Sequence, residues 1–81
     1  MQVRVLFFGR VREIVGRSED SIELAPGARV EDLFARCREL HPALGPYRAS
    51  LVASRNQEFA PWTSMLAPGD EVAFLPPVSG G

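Results

Sequence analysis

The chain has 81 residues, 46% of them apolar and 23% charged. That fits one small folded domain and excludes a disordered chain. Nine basic residues face ten acidic ones, so there is no electrostatic footprint for nucleic acid or for an anionic membrane. The longest apolar run, Val5-Leu6-Phe7-Phe8, is too short to span a bilayer or to serve as a signal segment, and a cytoplasmic location is expected.

Cys37 is the only cysteine and His41 the only histidine. An intramolecular disulfide, a Cys-rich metal site and the usual His-dependent nucleophile pairs are thereby excluded. All nine basic residues are arginine, which removes Schiff-base chemistry, a P-loop lysine and modification of lysine side chains. What remains is carboxylate or backbone chemistry, or a chain that is not itself a catalyst.

Residues 2–8 read as a strand, with Val3, Val5 and Phe7 alternating against Gln2, Arg4, Leu6 and Phe8. Gly9 and Arg10 break it, residues 11–15 form a helical turn, and residues 16–20 are a polar loop. Residues 21–25 form a second strand with Ile22 and Leu24 inward. After the Pro26-Gly27 turn the period changes. Val30, Leu33, Phe34, Cys37 and Leu40 fall on one face of an α-helix. Glu31 and Asp32 suit its N-terminal dipole, Asp32 and Arg36 are an i,i+4 pair, and Pro42, Gly45 and Pro46 end it.

Residues 50–53 read as a third strand, Arg55-Asn56 as a tight turn and residues 57–60 as a fourth strand ended by Pro61. Pro68-Gly69-Asp70 is a strong turn before a fifth strand, residues 71–75, which Pro76-Pro77 stops because neither residue has an N–H to donate. The order β-β-α-β-β-β describes an α+β roll in which one helix covers one face of a four- or five-stranded sheet. The last strand is expected to lie parallel to the first. If Val3, Val5, Phe7, Val72 and Phe74 face the helix, then Leu6, Phe8, Ala73 and Leu75 face away from it, joined by Phe59. An uncovered apolar face of this kind marks a partner surface, unless a register slip of one residue inverts it.

After Leu75 the chain reads Pro76-Pro77-Val78-Ser79-Gly80-Gly81. The prolines favour an extended segment that projects from the body, and six residues reach roughly 20 Å. The two glycines carry no Cβ, so nothing blocks entry into a narrow channel. The reactive group would be the α-carboxylate of Gly81. A carboxylate is a poor electrophile and needs activation, for example as an acyl-adenylate made from ATP by another enzyme. A sulfur nucleophile that displaces AMP would leave a thiocarboxylate.

In this the sequence resembles the ubiquitin-like sulfur carriers and, within them, the small subunits of molybdopterin synthase. The resemblance spans the chain. It rests on Val5-Leu6-Phe7-Phe8, Val11-Arg12-Glu13, Asn56-Gln57-Glu58 and above all Gly69-Asp70-Glu71-Val72-Ala73-Phe74-Leu75-Pro76-Pro77-Val78-Ser79-Gly80-Gly81. Thiamine-pathway carriers are usually shorter and seldom carry Pro-Pro-Val-Ser before the glycines, and ubiquitin depends on lysines that this chain lacks.

The resemblance implies a β-grasp domain over residues 1–75, with a mixed four- to five-stranded sheet on one main helix, and an extended tail over residues 76–81. Gly81 would be adenylated and converted to the thiocarboxylate, with Gly80 as the slim residue that lets it thread. The sulfur would go to a cyclic pyranopterin precursor, and two transfers would build the molybdopterin dithiolene. Phe8, Phe59, Leu75 and Val78 would form the apolar partner surface, Arg12 would pair with a partner carboxylate, and Pro76, Pro77 and Ser79 of the tail would also bind the partner.

The implied partners are the large synthase subunit, in a heterotetramer, an adenylyltransferase similar to ubiquitin-activating enzymes that uses ATP, and a sulfurtransferase. No nucleic acid, membrane, metal or directly bound cofactor is implied, and acid and base groups would come from the large subunit. Arg29 stands where a helix-capping threonine is common, and Arg55 where an apolar residue is common. A sulfur carrier or protein modifier of another pathway (thiamine, thiolated tRNA, conjugation) is the alternative, and a plain interaction module with an incidental Gly-Gly is a third reading. Cys37 reads as a core hydrophobe, His41 as a helix-end residue, Trp62 as a loop residue packed over the sheet edge, and the arginines as a solvated surface.

Overall fold

The computed structural model describes residues 1–76. Its elements are β1 (Gln2–Phe7), α1 (Gly9–Val15), β2 (Glu19–Glu23), α2 (Val30–Leu40), a 3₁₀ segment (Pro42–Ser50), β3 (Val52–Arg55), β4 (Glu58–Ala60) and β5 (Glu71–Leu75). The five strands form one mixed sheet in the order β2-β1-β5-β3-β4. As expected, β5 lies parallel to β1, with Val5 opposite Val72 and Phe7 opposite Phe74, while the other strand pairs are antiparallel.

The alternation in β1 has the consequence read from the sequence. Val3, Val5 and Phe7 are buried, as are Val72 and Phe74 on β5 and Ala53 on β3. Helix α2 lays Val30, Leu33, Phe34 and Cys37 onto this face. Leu40, expected on the same stripe, is 48% exposed. At about 100° per residue it is rotated some 80° from Val30, at the stripe's margin. Phe34 meets Phe74 edge-on at 5.3 Å and Trp62 edge-on at 5.5 Å, and Trp62 stacks on Phe74 at 5.6 Å. The Arg48 guanidinium lies 3.5 Å from the centroid of the Trp62 ring. Trp62 thus closes the core from a loop and takes its cation from the 3₁₀ segment.

Several local expectations are corrected. Gly9 and Arg10 do not merely break β1: Gly9 takes φ +53° and turns the chain into α1, which is longer than the turn expected over residues 11–15. Strand β2 starts two residues early because Glu19 and Asp20 pair with Leu6 and Val5, and it ends before Leu24. Residues 42–50 form a 3₁₀ segment, which a Pro- and Gly-interrupted stretch without helical period did not announce. The hairpin turn is Asn56-Gln57, not Arg55-Asn56. Both turn residues have positive φ, 51° and 72°, as a two-residue type I′ hairpin requires, so Arg55 stays in β3.

Arg36 pairs with Glu39 at 2.8 Å rather than with Asp32. Asp32 instead accepts the Arg29 backbone N–H at 2.7 Å. Arginine has no acceptor, so only this half of a capping box can form at the start of α2. The missing cap is supplied by a loop: the N–H groups of Val30 and Glu31 donate to the Ser64 and Trp62 carbonyls, at 3.0 and 2.9 Å. The Arg29 side chain donates to the Thr63 carbonyl in the same loop at 2.7 Å.

Candidate functional site: the uncovered sheet face and the root of the tail

Because side chains alternate across a strand, burying Phe7 and Phe74 under α2 forces their neighbours outward. Phe8 has extended φ and ψ of −130° and 158° and so continues the alternation of β1 beyond its last paired residue. One row of paired residues then crosses the open face as Glu19, Leu6, Ala73, Ser54 and Phe59. Ala73 is only 6% exposed. Its small side chain sits low between longer neighbours and makes the floor of a trough.

Phe8, Leu6 and Leu75 stand on one side of that floor and Phe59 and Gln57 on the other, around a volume of about 330 Å³. Phe59 is 70% exposed and Phe8 44%. The structure thus brings Phe8, Phe59 and Leu75 into one apolar surface.

The far end of the same face is charged. Arg4 pairs with Glu19 at 2.7 Å and with Glu71 at 3.4 Å. An apolar centre with an ion-paired margin is the anatomy of a protein-docking surface.

The trough opens toward the point where the chain leaves the body. Parallel pairing of β1 and β5 sets their C-terminal ends side by side, so Leu75 and Phe8 end together and Pro76 follows. Pro76 lines a second groove, of about 280 Å³, with Phe8, Arg10, Val11, Tyr47, Ser50 and Leu51. Phe8 is the ridge shared by both grooves. Arg12 is exposed one helical turn beyond Phe8 and lines a separate open cleft with Glu13 and Arg17. It makes no ion pair among the described residues, whereas Arg10 is held by Glu13 at 3.0 Å. Pro77, Val78, Ser79, Gly80 and Gly81 lie outside the described residues.

Arg55, which sits oddly against the resemblance, has a specific role. Its guanidinium donates to the Asp70 carboxylate at 2.7 Å. Asp70 is 7% exposed. It also accepts the Asn56 side-chain amide at 3.0 Å and the Ala67 N–H at 2.8 Å. Burial pushes its pKa up, but the Ala67 N–H, the Arg55 guanidinium and the Asn56 amide together hold it below the ordinary carboxylate value. Gly69, at φ +82°, completes the Ala67–Asp70 turn in a conformation that favours glycine. The Pro68-Gly69-Asp70 signal predicted this turn, but not that its aspartate would bind the β3–β4 hairpin.

No group of three or more His, Cys, Asp or Glu suited to a metal ion occurs among the described residues. Cys37 is buried in the core, and burial, aided by the charge of Asp20, pushes its thiol up to about 12, far from a nucleophile's range. No helix among the described residues is long and apolar enough to cross a membrane. The residues around the trough that sequence reasoning did not assign to a site are Ser54, Gln57 and Glu71: all three are polar, and Gln57 and Glu71 entered only as members of strands and of the segments that carry the resemblance. Tyr47 of the second groove was hidden by the unrecognised 3₁₀ segment, and Ser50 and Leu51 were read as the start of the third strand, which begins at Val52.

The chain is 43% identical, over the whole of both sequences, to a protein from Chlamydomonas reinhardtii named molybdopterin synthase sulfur carrier subunit. Among solved structures it is similar to SAMP1 from Haloferax volcanii, with a TM-score of 0.88, 28% identity and full coverage of both chains. It is also similar to a chain in the complex of subunits 1 and 2 of the molybdopterin-converting factor from Helicobacter pylori, with a TM-score of 0.71, 26% identity and full coverage of both. These neighbours share the ubiquitin-like β-grasp architecture seen here. A model of the ThiS family matches residues 5–81, so the chain belongs to the ThiS family.

Proposed function

We propose that this chain is the sulfur-carrier small subunit of molybdopterin synthase and that Gly81 carries the sulfur. The observation that carries the reading is the apolar trough of Leu6, Phe8, Phe59, Ala73 and Leu75, which opens where the chain leaves β5 toward Gly80-Gly81. A partner seated on that face lies beside Pro76, so the chain toward Gly81 starts from a fixed point on the docked body.

In the first step a Gly81 carboxylate oxygen attacks the α-phosphorus of ATP on an adenylyltransferase, and pyrophosphate leaves. A persulfide sulfur from a sulfurtransferase then attacks the acyl carbon, and AMP leaves. Reduction of the sulfur–sulfur bond by a thiol leaves the thiocarboxylate. In the large subunit the thiocarboxylate sulfur bonds to a side-chain carbon of the pyranopterin precursor as a carbon–oxygen bond at that carbon breaks and the oxygen group leaves, and water cleaves the resulting thioester. That restores the Gly81 carboxylate and leaves sulfur on the product. Two such transfers make the dithiolene. The small chain supplies no acid or base, in keeping with a core-locked Cys37 and an open face lined mainly by apolar side chains.

The test is the intact mass of the chain after incubation with ATP, the source organism's adenylyltransferase and a sulfur donor. A gain equal to one sulfur replacing one oxygen, absent when Gly81 is deleted, is the expected result. No gain with a demonstrably active enzyme overturns the reading.

The likeness to SAMP1, small archaeal modifier protein 1, from Haloferax volcanii favours a second reading as a protein modifier. That reading predicts isopeptide-linked conjugates of this chain under the same conditions.

A further inference from the structure

We propose that Asp70 is a positioning residue for partner docking: its carboxylate fastens the β3–β4 hairpin to the start of β5 and so places Phe59 at the wall of the trough. The inference rests on the docking role assigned above to the open face.

Phe59 cannot place itself. It is 70% exposed and sits on β4, a three-residue edge strand whose only neighbour in the sheet is β3. The position of β4 therefore depends on how firmly β3 and its turn are held to β5. Regular pairing of β3 with β5 ends at Arg55 opposite Val72. Beyond it the ladder is prolonged by Asn56 in the left-handed region. Its N–H donates to the Glu71 carbonyl at 2.7 Å, and its side-chain oxygen accepts the Glu71 N–H at 3.0 Å.

Asp70 ties this extension down. One oxygen takes the Asn56 amide, and the other takes the Arg55 guanidinium and the Ala67 N–H. A single buried carboxylate thus joins the last residue of β3, the first residue of the hairpin turn and the turn that launches β5. Gln57 and Phe59 on the hairpin and Glu71 and Ala73 on β5 are the parts of the trough that this joint holds in register.

The experiment measures affinity of the full chain for the large synthase subunit by titration calorimetry, in a double-mutant cycle. Phe59→Ala is expected to weaken binding about thirtyfold and Asp70→Asn about tenfold. In the Phe59→Ala background the effect of Asp70→Asn should fall below about twofold, because the side chain it positions is gone. In a Phe8→Ala background, across the trough, Asp70→Asn should keep its full effect. A merely structural role would give the same loss in both backgrounds and overturns the proposal, as does unaltered affinity of Asp70→Asn. If Phe59→Ala itself binds normally, the docking reading of the face fails, and this inference with it. Trp62 fluorescence and near-ultraviolet circular dichroism check that each variant is folded. Should Asp70→Asn not fold, Asn56→Gly, which tolerates the left-handed turn but loses the amide tether, replaces it in the same cycle. Failure of both to fold assigns the joint to stability alone and overturns the positioning role.

Discussion

The two faces of the sheet are built from the same strands and differ in what covers them. On the covered face Phe7, Val72 and Phe74 are sealed under α2 and Trp62. On the open face, one residue further along each strand, Phe8 and Leu75 flank a trough with an alanine floor. Both faces carry large apolar side chains, so the presence of such residues alone does not separate core from open surface. The separation comes from register and from the supply of helices: one α2 can cover only one side. An apolar face left over by topology, next to the start of the tail, is where the proposed partner would dock.

The contrast is sharpest in paired truncations of phenylalanine. Phe74→Ala removes a ring that touches both Phe34 and Trp62, and is expected to cost about 3–5 kcal/mol of stability. In a chain of this size that loss approaches the whole of the folding free energy. Phe59→Ala removes a ring that is already 70% exposed, and should change stability by less than about 0.5 kcal/mol. Urea titration followed by Trp62 fluorescence checks both. A large loss at Phe59 would mean that the open face is part of the core after all.

Cys37 gives a chemical version of the same comparison. With its thiol pushed up to about 12, the folded chain holds roughly a thousandfold less thiolate at pH 8 than a thiol of ordinary acidity. Labelling by iodoacetamide should therefore be very slow when folded and fast in urea. Fast labelling of the folded chain would show that α2 opens from the sheet.

How much of this could be read from the sequence depends on which interactions are local. Period-2 alternation in residues 2–8 and 71–75 and the helical stripe from Val30 to Cys37 fixed both faces, including the outward placement of Phe8 and Leu75, while Phe59 was joined to them from the fourth strand and by the resemblance. The parallel pairing of the last strand with the first followed from the topology and the activation chemistry of the tail from its terminal carboxylate, while the resemblance supplied the partners and the sulfur acceptor. What could not be read was long-range and polar. Nothing in the spacing of Arg55, Asn56 and Asp70 says that they meet, because the joint closes across the Trp62–Ala67 loop. The cap of α2 was missed for the same reason, since it comes from carbonyls some thirty residues away. The 3₁₀ segment carries no long-period pattern to detect.

Acid sensitivity probes the Asp70 joint between the β3–β4 hairpin and β5, with a smaller effect. The pKa of Asp70 is lower in the folded chain than the ordinary aspartate value of about 3.9 because the Ala67, Arg55 and Asn56 donors outweigh its burial. Its contribution is therefore fully present above the unfolded pKa and is lost as pH falls through the folded one. The stability difference between the wild type and Asp70→Asn should be constant above about pH 5 and shrink below about pH 4. Urea midpoints across that range measure it. A difference independent of pH would mean that the pKa of Asp70 is the same in the folded and the unfolded chain.

The smallest expected effect has the opposite sign. Gln57 takes φ +72° in the hairpin turn, a conformation that costs a residue with a Cβ about 1 kcal/mol. Gln57→Gly relieves that strain, less a share of entropy gained by the unfolded chain, and should raise stability by about 0.5 kcal/mol. The gain should not carry over to docking. Gln57 lines the trough beside Phe59, so removing its side chain strips contact from one wall while the hairpin itself becomes more secure. A variant that is more stable yet binds the large subunit no better, or worse, would show that the strain is kept for a residue the partner touches. A parallel rise in stability and affinity would instead show that docking depends only on how firmly the hairpin is held, and would assign the whole influence of this turn to the Asp70 joint.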